Sequence, residues 1–409
     1  WLRKQQDVAE FLSEWTLNDH SLKLRGTLEY DGMFWLQCNF QPARGQKLPD
    51  VDFVWEVPGD HASLVYTSEH MAHNSGRIPE QGWHKDLLTF LPMFWVGNEQ
   101  GGIYFCADDL RGWNLQDYSR SAEIAPLQNH ARQVVVHLLE SEANQVNQKY
   151  QLEFAVQITP SRPMPENWRS FQINGGTAHN IRQYEDRVTK LFSVPTPVQA
   201  DARVRIENWR EKGVNAVPYL ALLAVSPFTD EYRWFSEQWR MLPQQRPRFQ
   251  PEDYLTHTFI CPNAEGFNDY FLWQIDQMVD QLDANGLYFD YAQPSGFLCS
   301  NPAHGCQWTD SFGKQRSSMR LKATRELVKR IYTLLKRKRP HGSLMVLHNS
   351  GAMIPPVHTF CDITWNGEQT AQAILNQNLS YQGIFELDKY CVEQRHEPWG
   401  VVVCFLPQF

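Results

Sequence analysis

The chain lacks any apolar run near the roughly 18 residues that a bilayer-spanning helix needs, so no membrane span is expected among its 409 residues. It also lacks an excess of basic charge: 38 Lys and Arg stand against 46 Asp and Glu, a net charge of -8. Nucleic acid and anionic membrane surfaces are held by clustered Lys and Arg, so neither is an expected partner. The one basic run, KRIYTLLKRKRPHG at 329–342, spaces Ile331, Leu334 and Leu335 as on a helix face. It reads as the solvated C-terminal end of a helix, where cations oppose the negative end of the dipole. The G-x-S-x-G, H-E-x-x-H, Walker A and dinucleotide-binding glycine patterns are all missing. Their absence takes most of the support from redox and phosphoryl-transfer readings, and no cofactor is expected. VGNEQGGIYF at 96–105 is rich in glycine but sits between two strand-like runs, so it reads as a hairpin turn and not as a phosphate loop. Neither internal repeats nor low-complexity segments occur.

The eight cysteines form no dense framework, which leaves free thiols and a few bridges both open. The chain opens at Trp1 with neither an initiator Met nor a signal segment, so a trimmed or partial chain is expected. The compartment stays open, with export favoured over the cytoplasm, and composition says nothing of oligomeric state.

What the sequence does have is apolar and aromatic mass. With 42% hydrophobic residues it can build at least two cores. Its 15 Trp, 15 Tyr and 23 Phe suit a protein that stacks flat rings on sugars, although most such rings belong in a sandwich core. Residues 20–160 hold repeated short strand-like runs, among them MFWLQCNF, VDFVWEV, GGIYFCAD and YQLEFAVQITP, with turns between them. That rhythm predicts an antiparallel β-sandwich. The first 18 residues read as a helix or an entry segment. Two prolines in SRPMPENWR mark a boundary, giving a sandwich domain over 1–165 and a second domain over 166–409.

Past that boundary strands alternate with helices. FQING, VNAVPYLALLA, GLYFDYA, SLMVLHNSG, CDITWNGE, YQGIFELD and WGVVVCFLP supply six or seven strand units. The alternation predicts a (β/α)8 TIM-type barrel that stops short of its eighth strand. Barrel chemistry sits at the C-terminal ends of strands. The polar residues found there are Asn174, Tyr219, Asp290, His348, Asn349, Asn366, Glu368, Glu386 and Asp388. Asp290 stands out, because a carboxylate after GLYF is costly in a core unless it is paired or opens on a polar cavity. Glu368 has the same logic with a helix-capping alternative, and Glu386 could pair with Lys389. Two carboxyl groups across a cavity suit glycosidic cleavage, but spacing in sequence does not choose among retaining, inverting and substrate-assisted routes.

Asp290 is followed by a loop carrying Cys299-x4-His304-x-Cys306. Three ligands fall one short of a closed zinc site, so no metal is assigned; a disulfide and free thiols remain alternatives. Taken together, FWVGNEQGGIYFCADDLRGWN (94–114), AVQITPSRPMP (155–165), GLYFDYAQPSGFLCSNPAHGC (286–306) and DITWNGEQ resemble the glycoside hydrolase family 123-like proteins of bacteria. The resemblance implies a β-sandwich ahead of a (β/α)8 barrel, with Trp113 at the pocket edge. It further implies substrate-assisted β-N-acetylgalactosaminidase chemistry using an adjacent Asp-Glu pair. Here Tyr291 stands where the Glu belongs, so Asp290 matches the Asp alone and the proton donor is expected elsewhere, with Glu368 first.

The resulting expectation is a hydrolase of terminal sugars, with Asp290 and Glu368 catalytic. Tyr219, Tyr288, His304, His348, Asn349, Trp365 and Glu386 would line the sugar site, Trp365 stacking on the ring and His348 and Asn349 binding hydroxyls. The rivals are a carbohydrate-binding protein with a degenerate barrel, and a metal-dependent hydrolase around Cys299, His304 and Cys306.

Overall fold

The protein is described from a computed structural model covering residues 1–164, 168, 202–211, 217–243, 258–367, 374–375, 380 and 387–405, apart from positions 70–71, 90, 142, 144–148, 228, 297 and 350–351. Two compact units emerge. One comprises Trp1–Pro163, Trp308–Met319 and Asn378–Gly400; the other comprises Met164–Gln307, Arg320–Gln377 and Val401–Phe409. The sequence suggested one cut after residue 165, whereas the first unit also takes two later segments.

The first unit is an antiparallel sandwich. Nine strands form one sheet, in the spatial order Arg3–Lys4, Val8–Leu17, His20–Glu29, Met33–Gln41, Tyr150–Thr159, Gly101–Cys106, Met93–Asn98, Leu64–Glu69 and Ala72–Arg77. Four more, Val51–Val57, Arg132–Leu139, Ala122–Pro126 and Trp83–Lys85, form the second. Alternate residues such as Leu36, Cys38 and Phe40 meet Phe94, Phe105, Val134 and Val136 in the core, which is the period-two burial of facing sheets. The glycine-rich GNEQG is the hairpin turn between paired strands, Asn98 opposite Gly101.

The N-terminal segment corrects the helical expectation. Val8–Leu17 pairs along its whole length with His20–Glu29. Asn18 and Asp19 both take positive φ, 48 and 63°, the two-residue turn whose twist matches flanking strands. Trp113, expected near the sugar, is buried in the sandwich core against Phe105, with ring centroids 6.5 Å apart.

Among the described residues the second unit holds five parallel strands: β1 (Tyr219–Ala221), β2 (Gly286–Asp290), β3 (Leu344–Asn349), β4 (Ile363–Asn366) and β5 (Val402–Phe405). They lie side by side in chain order. An open doubly wound sheet reverses direction at a switch point, whereas a barrel wall does not. The strand order is thus the one a barrel wall takes, and the chain is a β-sandwich followed by this α/β unit.

Its described helices are α1 (Ala202–Glu211), α2 (Asp230–Trp239), α3 (Glu265–Leu282), α4 (Leu321–Lys338) and the single turn α5 (Pro355–His358). On α3 the buried residues Phe267, Phe271, Ile275, Met278, Val279 and Leu282 recur at three and four, one apolar face, and Phe271 packs on Phe289 of β2. In the basic run, Lys336, Arg337 and Lys338 form the last turn of α4, where Lys336 pairs with Asp362 and Lys338 with Asp276 and Asp280. They are helix-end cations, as their position relative to the dipole requires.

Candidate active site

Register fixes which side chains share a face. Tyr219 lies opposite Tyr288, Ala221 opposite Asp290, Tyr288 opposite Val346, His348 opposite Trp365, and Trp365 opposite Cys404. Because strand side chains alternate, Tyr219, Tyr288, Asp290, His348 and Trp365 project to one side of the sheet. Leu220, Phe289, Leu347 and Asn349 project to the other. Tyr219, Tyr288, Val346, Ile363, Trp365 and Val402 pack together as a buried cluster, the filled interior that a barrel wall encloses.

Asp290 ends β2 at the carboxyl edge and is part exposed, above neighbours that are buried. The Tyr219 hydroxyl donates to its Oδ2, and the backbone amide of Tyr291 donates to its Oδ1 at 2.7 Å. Tyr291 has φ +53°. A β-carbon in that region costs roughly 1–2 kcal/mol, and here the turn aims the amide back at the preceding carboxylate. Backbone strain held beside an oriented carboxylate is a mark of functional sites.

Aromatic rings form the floor. Tyr219 stacks on Tyr288 with centroids 5.1 Å apart, and Trp365 meets Tyr288 edge-on at 5.9 Å. The Tyr288 hydroxyl and His348 Nδ1 are 2.6 Å apart, so this pair is locked by a hydrogen bond as well as by packing.

The structure thus brings together Asp290, Tyr219, Tyr288, His348 and Trp365. It separates two others. Asn349 lies on the opposite face of β3, where its Oδ1 accepts from Gln293, contrary to the expectation of a hydroxyl ligand. His304 is taken up at both ring nitrogens: Nε2 bonds the Gln238 carbonyl, and Nδ1 lies 3.9 Å from Cys299 Sγ. It has no ring atom left for a sugar. Glu368, Glu386 and Asn174 lie outside the described residues.

His304 instead belongs to a group that the sequence reading left incomplete. Cys261, Cys299, His304 and Cys306 place one ligand atom each within 4.8 Å of all the others. The Cys299–Cys306 disulfide alternative does not hold, since all eight cysteines are unbridged. Hydrogen bonds from Cys261 and then Cys306 lower the pKa of Cys299, and the same kind of contact, led by Cys261, raises that of Cys306. Burial opposes charge on His304, yet its bonds to Cys261 and Cys299 carry it up to about 10. Cys38, buried alone, is simply pushed up to about 12. Among the described residues a cavity of about 490 Å³ lies in the first unit, lined by Glu99, Tyr390, Gln394 and Arg395 among others, and includes none of these groups.

No protein-family model matches the sequence, and no curated protein matches it. Among solved structures the chain is similar to the α-galactosidase from Lactobacillus brevis, with 12% identity and a TM-score of 0.41 over 92% of this chain and 60% of that one. A family 36 α-galactosidase from Geobacillus stearothermophilus gives 12% identity and a TM-score of 0.40 over 90% and 60% of the two chains. The α-galactosidase from Thermus thermophilus, in complex with stachyose, gives 10% and 0.32 over 82% and 74%. The chain spans about 60% of the length of the first of these.

Proposed function

We propose that the protein is a glycoside hydrolase acting on terminal sugars, with Asp290 as its anionic catalytic carboxylate. The observation that carries this reading is the Asp290 carboxylate itself, held by Tyr219 and by the Tyr291 amide at the carboxyl edge of a parallel strand. A carboxylate accepting two such bonds is oriented for work on an electron-poor carbon, as nucleophile or as stabiliser of an oxocarbenium-like transition state. It is not arranged as a proton donor. The donor is therefore a second group, and Glu368, two residues past β4 in the sequence, is the candidate.

Tyr219, Tyr288 and Trp365 form a buried aromatic floor beneath Asp290, and Tyr288 fixes His348 beside it, an aromatic setting of the kind that sugar sites use. The family 123 resemblance adds N-acetylhexosaminides to the substrates to be tried, with an acetamido group supplying the nucleophile while Asp290 orients it.

The test is hydrolysis of aryl glycosides, including N-acetyl-β-galactosaminide and α-galactoside, by the parent protein, Asp290→Asn, Glu368→Gln and Tyr219→Phe. Asp290→Asn is expected to lower kcat by about 10²-fold or more, on the scale of losing one catalytic group, with sugar binding by calorimetry kept. Sugar binding without hydrolysis of any glycoside would replace the hydrolase reading with a binding protein on the same barrel end. Hydrolysis that survives Asp290→Asn unchanged would remove Asp290 from the chemistry.

A further inference from the structure

We infer that Cys261, Cys299, His304 and Cys306 form a structural zinc site that fastens the loop after Asp290 to the segment following the short strand Thr258–Phe259. The inference is independent of the glycosidase reading, and nothing in it requires turnover.

The first support is the ligand set. Three sulfurs and one imidazole nitrogen are the Cys3His complement of closed tetrahedral zinc sites. Tetrahedral bonds of about 2.3 Å to sulfur put neighbouring ligand atoms about 3.5–3.8 Å apart. Cys261 Sγ and Cys306 Sγ lie 3.6 Å apart, and Cys299 Sγ and His304 Nδ1 3.9 Å apart. The sulfur pair is too far apart for a disulfide, whose bond is about 2.05 Å, and stands at the separation a shared cation imposes.

The second support is the surrounding hydrogen bonds. The Gln238 carbonyl accepts from Nε2–H, which leaves Nδ1 as the ring nitrogen facing the thiols and the atom that ligates once a metal displaces its proton. Asn263 Nδ2 donates to Cys306 Sγ at 3.4 Å, and the Asn301 amide donates to Cys299 Sγ at 3.4 Å. Donors aimed at sulfur stabilise thiolate, the form that ligates.

The third is the local fold. In N-P-A-H-G, Asn301 caps the turn Pro302–His304 by accepting from the Ala303 amide, its Nδ2 donates to the Arg240 carbonyl at 3.0 Å, and Gly305 ends the turn at φ +68°. That tight turn is what lets His304 and Cys306, two apart in sequence, face one point. Cys261 arrives from another part of the chain, its amide bonded to the Trp239 carbonyl.

All four positions are filled by protein and the three cysteines are fully buried. No coordination position opens to a substrate, so the site is structural and the metal-dependent hydrolase reading is set aside. On binding, Zn²⁺ displaces the cluster's protons to solvent, from thiols and imidazole alike, three in all when the cluster starts neutral, and leaves a site of net charge -1. The cysteines pack in the same cluster as Tyr219, Tyr288 and Trp365, so the metal braces the wall of the Asp290 site without joining its chemistry.

The test is elemental analysis of the full chain purified reduced and without chelator, with zinc K-edge absorption on the same sample. One zinc per chain is expected, with about three sulfurs near 2.3 Å and one nitrogen near 2.0 Å. Cys261→Ser should weaken zinc affinity at least tenfold, read by competition with a chromogenic chelator, while Cys38→Ser, a buried thiol of the sandwich, keeps full occupancy. The absorption spectrum is read on the unaltered protein, so it decides even if Cys261→Ser does not fold. Less than a tenth of an equivalent of zinc, with no uptake from a zinc buffer, would overturn the inference, as would a shell of oxygen and nitrogen alone.

Discussion

At the scale of single residues, Asp290 was legible because a carboxylate ending an apolar strand contradicts its surroundings unless something holds it. The sequence could not show what does: the Tyr219 hydroxyl comes from the adjacent strand, and the Tyr291 amide from a backbone turn that no residue type announces. Cys261 was missed for a similar reason, since the helix α3 and the strand β2 separate it from its partners and only the folded chain closes the ligand set. A buried histidine gives a residue-scale prediction of its own. His358 is wholly buried at the end of α5 with Nδ1 accepting from the Ile354 amide at 2.9 Å, and burial lowers its pKa from 6.5 to about 4. The folded value is the lower one, so between those limits the unfolded chain takes up a proton that the folded chain refuses. Stability is therefore full above about pH 6.5 and is lost as pH falls toward 4, by about 2 kcal/mol at pH 5 and roughly 3 kcal/mol in all. Urea midpoints at pH 7 and 5 check this: His358→Gln should lose less than the parent between the two, and an equal loss would show that His358 does not carry the effect.

At the scale of elements, long periodic segments were readable and paired ones were not. The α3 face follows from apolar spacing alone, and it predicts opposite outcomes for two neighbours. Ile275→Ala, on the buried face, is expected to cost about 2–5 kcal/mol, while exposed Gln277→Ala should stay within about 0.5 kcal/mol. Equal costs in urea unfolding would contradict the orientation of the helix. Val8–Leu17 was misread because E-F-L-S-E-W suits a surface helix as well as a strand. What decides is the ladder with His20–Glu29, set by the Asn18–Asp19 turn. Short strands depend on partners, and partners are a tertiary fact.

At the scale of the whole molecule, the sandwich and the α/β unit were both visible in the change from turn-separated strands to alternating strands and helices. The return of Trp308–Met319 and Asn378–Gly400 to the first unit was not, because nothing local marks a segment as belonging to a distant core. Trp399 shows the consequence: it is 1% exposed, 5.1 Å from Trp95 and 5.8 Å from Tyr66 by ring centroids, and its indole donates to the Val392 carbonyl. A fragment of residues 1–163 is therefore expected to expose the Trp95 face and bind a hydrophobic dye, and a dye-free, cooperatively folding fragment would contradict that assignment. For the proposed hydrolase, the most direct measurement is rescue of Asp290→Gly with azide on an aryl glycoside that the parent is found to hydrolyse. The account predicts a folded, inactive variant whose turnover returns with added azide, the anion standing in for the missing carboxylate at the anomeric carbon. Hydrolysis by Asp290→Gly at the parent rate without azide would contradict it.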